Sequence, residues 1–232
     1  MIVLGIDTSG YSNAIGVVDI EETLANRSFD ARTDSLEQIV DNIDSTLKIA
    51  GLTLDNIQGI GVGLGPGSWT GIRVGVTVGK MLAFSLDLPV CGVSTLASLA
   101  YRARHETSRI CAVVPAGTGD NVYAALYVTS NEGVAIIGDY FYGDIKELLA
   151  MINEPAVLVG KGAKSYLRLY EDVLTVPIMG VEAVPDGAVI ARLANQRLAR
   201  GESDDTLALT PLYLKESTAK AFVNKYKGIA TD

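Results

Sequence analysis

The chain opens on a short apolar run, MIVLGID, that Asp7 brings to an end. A turn-rich TSGYS follows, and then a second apolar run from Asn13 to Val18. This reads as strand, loop, strand. In DSLEQIVDNIDSTLKIAG the apolar residues Leu36, Ile39, Val40, Ile43 and Leu47 recur at helical spacing. Asp34 with Glu37 resembles a capping box and Gly51 supplies the stop, so a helix over 35–50 is predicted. GIGVGL reads as a buried strand leading into a glycine-rich loop, residues 72–86 as a second helix, and PVCGV as another strand. Ser94 is placed to cap a helix running to about His105.

From Ile110 the pattern starts again. Laying residues 2–19 over 110–127 matches apolar strand, small-residue turn and second strand, with Asn13 over Asn121 and Asp7 over Pro115. Two halves built on one topology are implied. In the second half Asp144 with Glu147 begins the helix IKELLAMIN, AVLVG is a strand, and KGAKSYLRLYED is helical. PDGAVIARLANQRLARG is a helix with Pro185 near its start and Gly201 at its end. Strands alternating with helices predict an α/β fold. After an acidic GESDD linker, TPLYLKESTAKAFVNKY reads as an extended piece and a terminal helix.

Of the 232 residues 48% are hydrophobic and 20% charged, enough for a well-buried core and too apolar for disorder. No stretch reaches the ~18 uninterrupted apolar residues of a membrane span, and no signal-peptide pattern opens the chain, so a cytoplasmic protein without a membrane partner is expected. Cys91 and Cys111 sit in apolar, strand-like contexts and read as small buried hydrophobes. The net charge is -8, with a pI near 4.7, which leaves no broad basic footprint for nucleic acid. Any RNA contact is therefore expected to be indirect. KESTAKAFVNKYKG, with four lysines among its fourteen residues, is the exception, and a solvated helix face is its simpler reading. His105, the one histidine, lies in a charged helix end without a second ligand at metal spacing, so no metal site is expected.

Seven glycines lie between Gly61 and Gly79. Gly65 and Gly67 belong to GLGPGSWTG, a permissive loop at a helix N-terminus, where free N–H groups can meet an anion. Together with the end of the first strand this makes Asp7, Thr8, Ser9, Gly65, Gly67, Ser68 and Thr70 weak candidates for a phosphate or nucleotide contact. A tight turn that lets strand and helix pack is the plainer alternative. The motif is not the lysine-bearing phosphate loop, since Ile72 follows Gly71 and no lysine precedes Lys80. Gly71, Gly75 and Gly79 fall every four residues, on one stripe of the second helix. Each glycine costs about 1 kcal/mol against alanine, so the stripe implies a close neighbour, either this chain's own sheet or another protein chain.

LGIDTS, GVGLGPGSWTGIRVG followed by GVSTLASLA, and DNVYAALY resemble, in order and separation, the bacterial TsaB (YeaZ) family, and PLYLK resembles that family's closing element. The resemblance covers nearly the whole chain. It implies a two-lobed actin-like ATPase (ASKHA) fold, each lobe a mixed sheet with flanking helices. The expected lobes are 1–105 and 106–204, with 205–232 as a C-terminal strand and helix that could pack back on the first lobe. It also implies a role in forming N6-threonylcarbamoyladenosine beside the anticodon of tRNAs reading A-starting codons. In that role the chain is the non-catalytic partner of the metal-bearing TsaD transferase and of the small ATPase TsaE, and a homodimer when alone. No intrinsic cofactor is implied, ATP or ADP belonging to the complex. TsaD holds its metal with H-x-x-x-H, which a chain with one histidine cannot supply.

The resemblance further implies that the two N-terminal helices contact a second subunit. The interface candidates are then Leu36, Ile39, Val40, Ile43, Leu47, Gly71, Ile72, Arg73, Gly75, Val76 and Gly79. Two features depart from the family. Ser35 or its neighbours stand where many members carry a histidine, and PAGTGDNVY lacks the arginine common before a GEVY-like turn. Two enzymatic alternatives are weighed. A phosphotransferase would need a second-lobe carboxylate where Pro115 stands, and a Ser68 hydrolase would need G-x-S-x-G spacing. An interaction protein unrelated to tRNA is the remaining alternative.

Overall fold

The computed structural model describes residues 1–10, 12–30, 36–117, 119–130 and 133–215. Its first three strands are β1 (Ile2–Asp7), β2 (Ser12–Asp19) and β3 (Glu22–Asp30), joined as antiparallel neighbours. β1 and β2 are buried on both faces, which is why they read as apolar runs and not as alternation. A short 3-10 turn, Leu36–Gln38, precedes helix α1 (Ile39–Ile49). The expected capping box lies partly outside the described residues, at Asp34. β4 (Gly59–Gly63) lies parallel to β1, α2 (Trp69–Ser85) follows the glycine loop, and β5 (Val90–Val93) closes the sheet order β3-β2-β1-β4-β5. α3 (Thr95–Arg102) ends this half.

The second half repeats the plan: β6 (Arg109–Pro115), β7 (Asn121–Ser130), β8 (Gly133–Asp144), α4 (Ile145–Met151), β9 (Ala156–Val159), α5 (Ala163–Leu169), β10 (Ile178–Val181) and α6 (Gly187–Ala199). Its sheet order, β10-β9-β6-β7-β8, is the first order with β6 in the place of β1. The register agrees as well. Ile2 opposite Asp19 recurs as Ile110 opposite Tyr127, and Asp7 opposite Ala14 recurs as Pro115 opposite Val122. The predicted superposition of 2–19 on 110–127 is thus the pairing the two sheets adopt. β3, β8 and β10, which the hydrophobic pattern did not single out, are all edge strands. Exposed along one side, they carry polar residues that break up the apolar run.

Each half lends its last helix to the other sheet. α1 and α2 cover one face of the first sheet, in a core of Leu4, Ile6, Ile15, Ile43, Ile60 and Ile72. The opposite face is covered by α6, through Ile190, Ala191, Ala194 and Leu198 against Val3, Val18 and Val93. α3 packs instead on the second sheet, with Leu96, Leu99 and Ala100 against Ile110, Ala112 and Val157. α4 and α5 cover that sheet's outer face. The expected lobe boundaries at 105 and 204 therefore do not describe the packing, since α3 and α6 lie between the sheets and each completes the core of the other half.

After α6 the chain returns to the first lobe. Asp204 bridges to Val90 on the edge of β5, and its carboxylate takes two hydrogen bonds from Arg197, at 3.0 and 2.9 Å, and one from the Gly92 N–H at 2.7 Å. Arg197 holds the Asp204 carboxyl below its ordinary pKa. Leu209 enters the first core, and the Leu212 N–H donates to the Leu64 carbonyl at 2.9 Å. The expected terminal helix falls beyond residue 215, outside the described residues. Among the described residues no helix is long and apolar enough to cross a membrane.

The approach of α6 to the first sheet is backbone to backbone. A methyl group added at Gly16 would land on the backbone of Ala188, one at Gly5 on the Gly187 carbonyl, and one at Gly187 on the backbone of Ile15 and Gly16. Overpacking a close contact typically costs about 1–3 kcal/mol, and more where backbone must move. Gly16→Ala is expected to lower the unfolding free energy by about 3 kcal/mol or more in urea titration. Gly51→Ala, where a methyl meets nothing but φ is +70°, should cost only about 1 kcal/mol, the usual cost of a left-handed residue with a Cβ.

Candidate functional site

The cleft between the lobes is built by the ends of two equivalent strands and the loops that follow them. From the first half come the β1–β2 turn (Ser9, Gly10, Ser12) and the start of α2 (Gly67, Ser68, Trp69). From the second come Val113 to Gly117 at the end of β6, Tyr123, Lys161 and the approach to α6, Ala183 to Pro185. They enclose a cavity of about 610 Å³.

Asp7 does not reach this cavity as a free acid. It is fully buried, and its carboxylate accepts from the Ser9 N–H at 2.8 Å, the Ser9 hydroxyl at 2.5 Å and the Thr95 hydroxyl at 2.8 Å. Burial raises its pKa above the ordinary carboxylate value, against the three hydrogen bonds that favour the charged form. The two atoms of Asp7 thus tie the β1–β2 turn to the first residue of α3. Thr8 is turned the other way and donates to the Gly71 carbonyl of α2 at 2.6 Å, while Ser9 also meets Thr95 at 2.9 Å. Pro115 holds the equivalent place at the end of β6.

The glycine loop serves packing first. Gly65 and Gly67 both have positive φ, +87° and +159°, and a methyl on Gly67 would strike the Ser9 carbonyl, which accepts from the Ser68 N–H at 2.7 Å. Ser68 caps α2, its hydroxyl accepting from the Gly71 N–H at 3.2 Å. Thr70 is exposed on the first turn. Of the seven phosphate or nucleotide candidates, Ser9, Gly67 and Ser68 line the cavity; Asp7, Thr8, Gly65 and Thr70 do not.

The glycine stripe also turns inward. Methyl groups at Gly71 and Gly75 would meet the Thr8 carbonyl and hydroxyl, and one at Gly79 would meet Val62. The close neighbour is this chain's own sheet, so these three are withdrawn as interface residues. Ile72 and Val76 beside them, and Ile39, Ile43 and Leu47 on α1, are buried in the same core and are withdrawn likewise. The side chain of Leu36 lies outside the described residues. Val40 stays 63% exposed, and Arg73 is exposed with its guanidinium 5.9 Å from the Trp69 ring. The outward face of α2 instead presents Thr77, Met81 and Phe84, the last 74% exposed. They border a groove of about 330 Å³ shared with Lys80, Thr206 and Leu207. Reading the stripe missed this face, although Thr77 and Phe84 fall opposite the glycines on a helical wheel.

His105 is exposed beyond α3. Among the described residues no three His, Cys, Asp or Glu side chains stand together in a way that could hold a metal. Cys91 and Cys111 are buried, their thiols pushed up to about 11 and about 12 mainly by desolvation.

A family model described as TsaD, tRNA N6-adenosine threonylcarbamoyltransferase, matches residues 29–221. The tRNA threonylcarbamoyladenosine biosynthesis protein TsaB of Bacillus subtilis is 31% identical over 227 residues, 95% of this chain and 97% of its own length. This chain belongs to the TsaB family. YeaZ from Pseudomonas aeruginosa superposes with a TM-score of 0.79 at 25% identity, over 92% of this chain and 99% of that one. ROK hexokinase from Thermus thermophilus superposes at 0.51 with 12% identity, over 85% and 100% of the two chains. The last likeness concerns the fold alone, the two-lobed ASKHA architecture. This TsaB-family chain keeps that architecture while its first-strand aspartate is sequestered.

A pH-dependent effect follows from Asp7. A carboxyl whose pKa is raised by folding contributes stability that is complete below its unfolded pKa, about 3.9, and is lost as pH rises through the raised value. Asp7→Asn removes the ionisation. The variant's unfolding free energy relative to wild type should therefore improve steadily above about pH 4, as followed by urea titration at several pH values. A difference that does not change with pH would mean that folding leaves the Asp7 pKa at its unfolded value.

Proposed function

We propose that this TsaB-family chain is a non-catalytic subunit that activates a TsaD-like threonylcarbamoyltransferase, with a TsaE-like ATPase in the same assembly. The observation that carries this reading is the pair of strand ends at the cleft. In the first half Asp7 is buried and fully engaged by Ser9 and Thr95; in the second half Pro115 takes its place. Phosphoryl transfer depends on carboxylates that reach metal and substrate, and neither strand end presents one to the cavity. The family membership supplies the pathway.

The contact surface in this reading is the outward face of α2, Thr77, Met81 and Phe84 with Val40 and Arg73. It replaces the inward stripe that the family resemblance placed at the contact. Large apolar side chains left in water and clustered on one face mark interaction sites. Activation is positional: binding at this face favours the active conformation of the partner, to the extent of the difference in affinity for its two states. The same face serves a homodimer when the chain is alone. ATP or ADP belongs to the assembled complex, and tRNA is met through the catalytic partner, since this chain carries a net charge of -8.

Threonylcarbamoyladenosine formation on tRNA should be measured with purified TsaD-like and TsaE-like proteins from the same source, with and without this chain. Dependence on the chain, with none of the activity in the chain alone, is the expected outcome; formation independent of it would remove the reading. Phe84→Asp should reduce that dependence at least tenfold at limiting concentration. Because Phe84 is exposed, stability should stay within about 0.5 kcal/mol of wild type.

A further inference from the structure

The interlobe cavity, at about 610 Å³, falls within the ~300–1,000 Å³ of small-molecule sites. Trp69 and Tyr123 line it with aromatic surface, and Leu99, Val113 and Val184 with aliphatic surface. Each ring has an aromatic neighbour that is not itself part of the cavity lining. Trp69 stacks on Tyr213 with centroids 4.2 Å apart, and Tyr123 packs on Tyr142 at 5.3 Å, so the aromatic walls are held in place by aromatic neighbours. Among the described lining residues the charged one is Lys161, and none is acidic. The Ser12 and Ser68 hydroxyls add polar contacts.

We propose that this cavity is a binding site for a flat aromatic anion, a carboxylate or sulfonate taken up without a metal. The ring lies against the Trp69 and Tyr123 walls, and the acid group is attracted by Lys161. A magnesium nucleotide is disfavoured by the same lining, because a hard cation needs oxygen ligands of negative charge; no described lining residue is acidic, and the Asp7 carboxylate is taken up by Ser9 and Thr95. This inference is independent of the subunit role, which concerns the outer face of α2.

Trp69 is the only tryptophan in the chain, so the site carries its own reporter. The full chain is titrated with 8-anilinonaphthalene-1-sulfonate, and energy transfer from Trp69 to the probe is read. Saturable binding at one site is expected. Lys161→Glu, at an exposed position, should raise the dissociation constant about tenfold. Ala116→Phe, which fills the cavity, should abolish the signal with the circular dichroism melt retained. Phe84→Asp and an excess of magnesium ATP should leave binding unchanged. The proposal is overturned by any of four results: no saturable binding; a Lys161→Glu constant within twofold of wild type; loss of the signal in Phe84→Asp, which places the probe on the α2 face; or displacement by magnesium ATP. Should Ala116→Phe fail to fold, the Lys161→Glu comparison decides alone.

Discussion

The near-contact of α6 with the first sheet is the constraint on which the rest of the structure depends. Gly5 and Gly16 on the strands and Gly187 on the helix leave no room for a side chain between the two backbones. Because α6 comes from the second half of the chain, this contact also joins the halves. α3 makes the reciprocal crossing onto the second sheet, and Arg102 at its end pairs with Asp186, the cap of α6, at 3.2 Å. The two central helices therefore set the separation of the sheets, and with it the width of the cleft at the ends of β1 and β6.

Within that frame the repeated topology has diverged where chemistry would be expected. Strand order and register are the same in both halves, so Asp7 and Pro115 occupy equivalent strand ends, Pro115 lining the cleft and Asp7 buried beside it. One is an acid turned into a structural tie between the β1–β2 turn and α3; the other has no ionisable group. Among its described residues the cleft is mostly apolar with one lysine. Away from the cleft, the far side of α2 from the glycines leaves Met81 and Phe84 to solvent. A closed-off acid at one strand end, a proline at the other and an apolar outer helix face suit the proposed role of a subunit acting through a partner.

Much of this was legible in the residues. The apolar runs located β1, β2, β4, β5, β6 and β9, the helical periodicities located the helices, and the superposition of the two strand pairs anticipated their common register. GPGSWTGIR carried the family. The edge strands β3, β8 and β10 were not legible, because a strand exposed on one side loses the apolar continuity that marks a central one. The crossing of α3 and α6 was not legible either, since chain order suggests that each helix packs on the sheet it follows.

The limit shows most clearly in the glycine stripe and in Asp7. The sequence by itself determined that Gly71, Gly75 and Gly79 share one face of a helix and need a close neighbour, because the 3.6-residue period fixes which residues align. It also determined that Asp7 ends a buried strand beside two hydroxyl residues. Only the tertiary structure decided that the neighbour is Thr8 and Val62 of the same chain, and that Thr95, eighty-eight residues away, helps to close Asp7 off from the cleft. The physical reason is that periodicity is local and is set by backbone geometry. What covers a face is settled by the burial of the whole chain, where distant segments compete for the same surface.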